Sequence, residues 1–153
     1  MDIKKIIKSF YLLPLALVLL LPANVGSVEK DLFTVPVVSV SLSVNEMTRE
    51  ELFSVFTLTT TRWQDGQKIV VVIYNPDNPT QKTFLREYFG INTYRFQEIL
   101  ETKMNTGRVE KPIVVETETE MIREISRKPG RIGFAKTYVL IGDRGGIKQV
   151  KIN

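Results

Sequence analysis

The stretch from Gln67 to Phe84, QKIVVVIYNPDNPTQKTF, has the layout of an anion-binding loop: an apolar strand, a polar turn and the start of a helix. Asn78 is a suitable N-cap residue, and Pro79 suits the first position of a helix. The free N–H groups at a helix start, aided by the helix dipole, bind anions. The hydroxyl of Thr80 is a further polar group beside them. This chemistry predicts either an anion site or only the backbone framework of one.

The chain contains no histidine and no cysteine. This composition excludes His-based catalytic triads, metal sites that need His or Cys ligands, thiolate catalysis and disulfides. Because no close pair of carboxylates is evident either, we identify no catalytic constellation in the sequence. We therefore predict that the protein is not an enzyme and uses no cofactor.

Two other polar clusters are candidates for binding. Arg62 and Trp63, beside a run of three threonines, have the groups of an anion or sugar platform, although the tryptophan also suits packing in the core. Glu116, Glu118 and Glu120 offer carboxylates to a cation, but negative charge is favourable in itself at the start of a helix. We favour the structural interpretation of both clusters.

The first 27 residues have the pattern of a secretory signal peptide. Lysines precede an uncharged apolar run from Phe10 to Leu21, and small residues follow it. A membrane anchor is the alternative, but a span needs about 20 apolar residues, and this run is shorter and contains Pro14. We predict a signal peptide over 1–27, one domain over 28–153, and a periplasmic protein without a stable membrane span.

The positive charge of the chain lies partly in its N-terminus. The formal net charge is +4 at pH 7, and Lys4, Lys5 and Lys8 belong to the predicted signal peptide. Because the remaining excess of positive charge is small, it gives little support to nucleic-acid binding. We predict no nucleic-acid partner.

Hydrophobic patterns predict strands along the rest of the chain. Alternating residues predict a half-buried strand over 37–45, with an inner face of Val38, Val40, Leu42 and Val44. The continuous run KIVVVIY suits a strand that is covered on both faces, as in a parallel sheet. The further strands are predicted at 68–74, 112–116, 131–135, 138–142 and 147–152.

Helices are predicted between these strands. Capping boxes at Thr48–Glu51 and Thr117–Glu120 mark two helix starts. Another helix follows Asn78 and ends before Gly90, and a further helix is predicted over 93–104. Strands that alternate with helices indicate an α/β domain with a mixed, mainly parallel sheet flanked by helices.

Two segments together resemble phosphate-type periplasmic solute-binding proteins. The first, MTREELFSVFT…RWQDGQKIVVV, is similar to the family pattern L-(S/T)-x-x-(E/Q)-L-x-x-I-F-x-G…W-x-D-G-x-x-I. Its matching residues are Thr48, Glu51, Leu52, Val55, Phe56, Trp63, Asp65, Gly66 and Ile69. The second segment is similar to the family pattern V-x-x-x-P-G-x-I-G-Y. Its matching residues are Ile125, Pro129, Gly130, Ile132, Gly133 and Phe134.

The resemblance covers roughly residues 44–138 and implies a type II periplasmic-binding-protein fold. Such proteins have two α/β lobes joined by hinge strands, and the ligand lies in the cleft between them. The matched segments belong to the second lobe. Only VEKDLFTVP lies between the predicted signal peptide and the first predicted strand. The resemblance therefore implies a single lobe.

The resemblance also assigns roles within the turn after the strand KIVVVIY. The family pattern there is R-x-x-x-S-G-T-x-x-x-F, and we align it on Phe84. Tyr74 then stands at the arginine, Asn78 at the serine, Pro79 at the glycine and Thr80 at the threonine. The implied ligand-binding residues are Asn78, Thr80 and Tyr74.

Three departures from the family pattern weaken the implied anion site. A phenol at Tyr74 lacks the charge-assisted, bidentate hydrogen bonds of arginine. Pro79 has no N–H to donate. Asp77 adds a negative charge beside the position of the ligand. We therefore predict a degenerate anion site.

Two functions follow from these features. The first is an exported, non-catalytic interaction module that forms a homodimer or docks on another envelope protein, because a single lobe leaves its cleft face uncovered. The alternative is a genuine binding protein for a small, phosphate-like oxyanion that serves a transporter or sensor. The sequence predicts the interaction module.

Overall fold

The computed structural model describes residues 33–140 and 145–153. The predicted signal peptide, 1–27, lies outside the described residues. The strands are β1 (Thr34–Ser39), β2 (Glu46–Met47), β3 (Val70–Tyr74), β4 (Ile113–Val115), β5 (Arg131–Lys136), β6 (Ile147–Gln149) and β7 (Lys151–Ile152). The helices are α1 (Arg49–Phe56), α2 (Pro79–Phe84), α3 (Thr93–Met104) and α4 (Glu118–Arg127). A π-helical turn, Leu85–Phe89, continues α2 and ends at Gly90.

A five-stranded mixed sheet with the order β4-β3-β5-β1-β6 forms the centre of the fold. β3 runs parallel to both of its neighbours, β4 and β5. β1 runs antiparallel to β5 and to β6, so β1 alone opposes the other four strands of this sheet. The fold class predicted from the sequence, a mixed and mainly parallel α/β sheet, is confirmed. β2 and β7 form a separate parallel pair.

The central strands are apolar because helices cover both faces of the sheet. Residues Val71 to Tyr74 of β3 are all buried, as are Ile132 to Ala135 of β5. On one face, α4 packs so closely on β5 that a Cβ added to Gly133 would lie 2.5 Å from Sδ of Met121. Gly133 is therefore needed for this close approach of α4 and β5.

Capping residues begin two helices as predicted. The hydroxyl of Thr48 accepts from the N–H of Glu51 at 3.1 Å, and the carboxylate of Glu51 accepts from the N–H of Thr48 at 2.8 Å. Thr117 and Glu120 make the same reciprocal pair at the start of α4. Each box satisfies helix-start N–H groups that have no partner within the helix.

Trp63 belongs to the core and not to a surface platform. Its indole N–H donates to the backbone oxygen of Gly130 at 3.0 Å, and its side chain is 8% exposed. Arg62, next to it, donates to the backbone oxygen of Gly66 at 2.8 Å and so braces its own turn. The predicted packing of Trp63 in the core is confirmed.

The first predicted strand is misplaced. β1 covers Thr34–Ser39, not 37–45, and all six of its residues are buried. β1 lies between β5 and β6 and is covered on both faces, so it has no polar face and no alternation. Val40, predicted to face inward, is 56% exposed, because the chain turns there and Leu42 donates to the backbone oxygen of Ser39.

The predicted strands after β5 are also wrong in detail. Thr137–Leu140 forms a 3-10 turn instead of the start of a strand over 138–142, and residues 141–144 lie outside the described part. The strand predicted over 147–152 is divided at Val150. Its two halves pair with different partners, β6 with β1 and β7 with β2, which breaks their continuity.

Candidate anion-binding site

The turn between β3 and α2 lies at the carboxyl end of the parallel strands. β4 and α4 are joined at the same edge of the sheet by Glu116 and Thr117. In open α/β sheets, ligands bind in the crevice outside the carboxyl ends of the strands. The sequence-predicted residues are therefore placed where this kind of fold binds ligands.

Asn78 caps α2 with its own side chain. Its Oδ1 accepts from the N–H of Thr80 at 2.8 Å, and Pro79 is the first residue of the helix. Its Nδ2 donates to the backbone oxygen of Glu116 at 3.5 Å. The predicted cap is confirmed. Because Asn78 takes the amide of Thr80 and Pro79 has no N–H, the first turn offers few free donors.

Gln81, which the sequence analysis did not identify, links this turn to β3. Its side chain is 1% exposed, and its Oε1 accepts from the N–H of Tyr74 at 3.1 Å. A glutamine in a polar turn gives no signal of this role, because its partner lies on the preceding strand. The bond fixes the start of α2 against the end of β3.

Tyr74 is buried at the end of β3. Its side chain is 2% exposed, and its ring packs edge-on against Phe134 at 5.4 Å between centroids. Burial raises the pKa of Tyr74 strongly, and the nearby Glu118 carboxylate and Tyr138 raise it further. The phenol therefore stays neutral in neutral solution, and the hydroxyl has no hydrogen-bond partner among the described residues.

The structure brings two of the three predicted residues into contact. Asn78 and Thr80 share a hydrogen bond, whereas Tyr74 joins the turn only through its backbone N–H and Gln81. Within residues 33–140 and 145–153, the hydroxyl of Tyr74 bonds to neither Asn78 nor Thr80. The three polar groups do not form one connected site.

Carboxylates surround this edge of the sheet. Asp77 is exposed and lies 3.7 Å from the ammonium group of Lys82. Oε1 of Glu116 accepts from the side-chain amide of Asn75 at 3.1 Å. Glu118, at the start of α4, accepts from the hydroxyl of Tyr138. Their negative charge opposes the approach of an anion.

The three candidate cation ligands Glu116, Glu118 and Glu120 make hydrogen bonds around the start of α4. Oε2 of Glu120 accepts from the N–H of Glu116 at 2.8 Å and from that of Thr117 at 3.3 Å. Oε1 of Glu118 accepts from the N–H of Lys136 at 3.3 Å. Across the described ranges, no group of three or more acidic side chains is arranged to hold a metal ion.

The described helices are too short or too polar to cross a bilayer. None of those in residues 33–140 and 145–153 combines the length and the apolar character of a membrane span.

Among known proteins, similarity to this chain is found in solved structures. No family model matches the sequence, and no curated protein matches it. Solved structures match with TM-scores of 0.54 to 0.55. An ABC-type phosphate transport receptor from Vibrio cholerae is 18% identical, and PstS from Borrelia burgdorferi is 16% identical. A structure described as a phosphate ABC transporter substrate-binding protein with bound phosphate, from Clostridium perfringens, is 15% identical.

These matches cover most of this chain and less than half of each matched structure. Each covers 78% of the chain, and 45%, 47% and 44% of the three solved structures in the same order. At this level of identity, the structural similarity shows the fold alone. The chain has the fold of a single lobe of a type II periplasmic binding protein, as found in these phosphate-binding proteins.

Proposed function

We propose that the protein is an exported, non-catalytic relative of phosphate-binding transport proteins whose anion site has degenerated. In this proposal it acts in the periplasm as a binding and interaction module. Residues 1–27 serve as the signal peptide, and residues 28–153 form the domain. The observation that carries the proposal is the hydrogen bond from the N–H of Thr80 to the side chain of Asn78.

The Asn78–Thr80 bond supports a structural role for the helix start. An anion at this position must replace the side chain of Asn78 at the amide of Thr80. Pro79 offers this anion no N–H. At Tyr74 the anion meets a neutral phenol, where the family pattern has the guanidinium of an arginine. Hydrogen bonds to charged groups contribute about 1.5–3 kcal/mol each, and every 1.4 kcal/mol is about tenfold in affinity. Loss of the two hydrogen bonds of an arginine and of one backbone N–H donor therefore weakens anion binding by several kcal/mol.

The surrounding charges support the same conclusion. Asp77, Glu116 and Glu118 lie around this edge, and only Lys82 offsets Asp77 among the ion pairs of the described residues. A phosphate group would approach these carboxylates in the absence of the family arginine. The electrostatic term that favours anions at a helix start is therefore opposed locally.

The interaction role concerns the ligand-facing edge of the described lobe. The chain spans less than half of the solved structures that it matches. In this proposal a second copy or another envelope protein occupies that edge. Sedimentation velocity of the purified protein tests the homodimer, and pull-down from an envelope fraction tests the other partner.

Calorimetric titration of the purified protein with phosphate and with sulfate tests the degenerate site. We expect no saturable heat from either anion. Saturable heat that disappears in Thr80→Ala and persists in Thr102→Ala, an exposed threonine on α3, would reject the proposal. Circular dichroism of each variant establishes that the fold is retained.

The second candidate function is binding of a small oxyanion by Asn78, Thr80 and Tyr74. Its support is the fold likeness to a Clostridium perfringens structure that holds phosphate, together with the helix start at the carboxyl end of β3. In this case Asn78 rotates away and releases the amide of Thr80, and the hydroxyl of Thr80 donates to the same anion. The same titration distinguishes the two functions, because only the second predicts heat that depends on Thr80.

A further inference from the structure

A cavity lies between α3 and the β3–β4 side of the sheet. Its volume is about 280 Å³. The cavity borders the β3–α2 turn at Gln81, but most of its wall comes from α3 and from the segment that leads into β4. Its wall includes Tyr74 from the anion proposal, but neither Asn78 nor Thr80.

The floor of this cavity is apolar. Ile73 of β3 and the side chains of Phe96 and Leu100 of α3 are buried around it. Met104 and Val114 complete the apolar wall, and Val114 is 55% exposed on the edge strand β4. A branched aliphatic or aromatic group that entered the cavity would remove this surface from water, which is favourable.

Polar groups without partners lie on the same wall. The hydroxyl of Thr93 is buried and has no hydrogen-bond partner among the described residues. Glu101 and Lys111 are exposed at the cavity, and neither forms an ion pair within residues 33–140 and 145–153. A buried polar atom without a partner costs free energy, so the Thr93 hydroxyl favours a ligand with a hydrogen-bonding group.

We propose that this cavity binds a free α-amino acid with an apolar side chain. The side chain occupies the floor between Ile73 and Leu100. Lys111 pairs with the carboxylate and Glu101 with the ammonium group, and Thr93 donates to the carboxylate. Cavities for drug-sized ligands measure about 300–1,000 Å³, so a cavity just below this range fits a smaller molecule.

Each group of the proposed ligand contacts one feature of the cavity. A ligand without an apolar side chain leaves the floor uncovered, and a ligand with only one charge leaves either Glu101 or Lys111 unpaired. The proposal therefore requires both charges and the apolar group together. It does not require the anion site to be intact, because Asn78 and Thr80, at the helix start, do not line the cavity.

Isothermal titration of the full-length protein with L-leucine, L-isoleucine and L-phenylalanine tests the proposal. We expect saturable binding of at least one of them and none of glycine. N-acetyl-leucine lacks the ammonium group, and leucinamide lacks the carboxylate. Both should bind at least about tenfold more weakly than leucine. Absence of saturable heat with all three apolar amino acids overturns the proposal, whatever phosphate does in a parallel titration.

Variants locate the site. Lys111→Gln and Glu101→Gln should each weaken binding about tenfold. The exposed control changes Lys128→Gln and Glu50→Gln should leave it unchanged.

Gln97→Trp should abolish binding, because Gln97 lines the cavity and an indole would occupy it. Thermal melting separates this loss from unfolding. Binding that survives both Gln97→Trp and Lys111→Gln in folded protein places the ligand elsewhere and overturns the proposal.

Discussion

Phe84 of α2 stacks on Phe134 of β5, with ring centroids 4.0 Å apart and ring planes 3° apart. Both side chains are fully buried. Phe56 of α1 and Phe89 of the π-helical turn pack on Phe84 at 5.0 and 5.4 Å between centroids. This aromatic cluster joins α1 and α2 to the sheet, so the position of the β3–α2 turn depends on it.

Phe84→Ala should lower the free energy of unfolding by about 3–5 kcal/mol, because it leaves a cavity at the centre of this cluster. Urea denaturation followed by circular dichroism measures the change. Tyr94→Ala is the matched control, since Tyr94 is 78% exposed on α3. Its effect should stay within about 0.5 kcal/mol. Equal effects of the two changes would contradict the packing described here.

Glu124 and Arg131 form an ion pair that is mostly shielded from solvent, and it predicts a loss of stability in acid. Burial raises the pKa of Glu124, but the hydrogen bonds and charges of Arg127 and Arg131 outweigh burial and hold the pKa below its usual value of about 4.5. A carboxylate with a lowered folded-state pKa stabilises the protein above its unfolded-state pKa. That stability should be lost as the pH falls below about 4.5, through the folded-state pKa.

Glu124→Gln tests this ion pair. It should reduce the free energy of unfolding at pH 7 by about 1–3 kcal/mol, because the mostly shielded guanidinium of Arg131 loses its carboxylate. The variant should also show less change of stability with pH in the acid range. Glu98→Gln breaks the exposed pair with Arg95 and should cost no more than about 1 kcal/mol. A Glu124→Gln variant with the wild-type pH profile would contradict the assignment.

Gly133→Ala should destabilise the protein through overpacking and not through backbone strain. The added Cβ would lie 2.5 Å from Sδ of Met121 and 2.9 Å from Cδ1 of Ile125. Insertion of a carbon into a packed core costs about 1–3 kcal/mol. Thermal and urea unfolding measure the loss.

Gly66→Ala gives the contrasting case for backbone strain. Gly66 has a φ of +86° and no atom within 4 Å of an added Cβ, so its cost of about 1 kcal/mol should come from the backbone alone. A Gly133→Ala variant as stable as the wild type would show that α4 can move away from β5.

Local signals made the helix starts predictable from the sequence. The capping box at Thr48–Glu51 joins groups only three residues apart, so its hydrogen bonds follow from the sequence order. The same holds for Asn78 before Pro79 at α2. The continuous apolar run of β3 predicted burial on both faces, which is confirmed.

Long-range pairing made the remaining parts unpredictable. The alternation of serines with apolar residues lies mostly beyond the end of β1, whereas β1 itself is buried throughout because it lies between β5 and β6. The division at Val150 depends on β2, more than 100 residues earlier in the chain. The cavity at α3 likewise combines Ile73 of β3, Leu100 of α3 and Lys111 of the segment before β4, which are distant in the sequence.

The candidate site divides in the same way. The cap formed by Asn78 was predicted, whereas the role of Gln81 and the burial of the Tyr74 hydroxyl depend on how β3 and α2 pack. Sequence order alone places Tyr74 four residues before Asn78. Burial decides that its hydroxyl is turned away from solvent, and the ligand-binding roles of Tyr74, Asn78 and Thr80 stay predictions.

Asn78→Ala should lower the free energy of unfolding by about 1 kcal/mol, because the N–H of Thr80 loses its acceptor. Asn78→Gly should cost only a few tenths of a kcal/mol at the same position, since glycine is a tolerated N-cap. Amide hydrogen exchange should be faster at Thr80 in both variants than in the wild type. Unchanged stability and exchange in Asn78→Ala would mean that the side chain of Asn78 does not hold the helix start. The amide of Thr80 would then be available to an anion. This result would support the oxyanion-binding function over the interaction module.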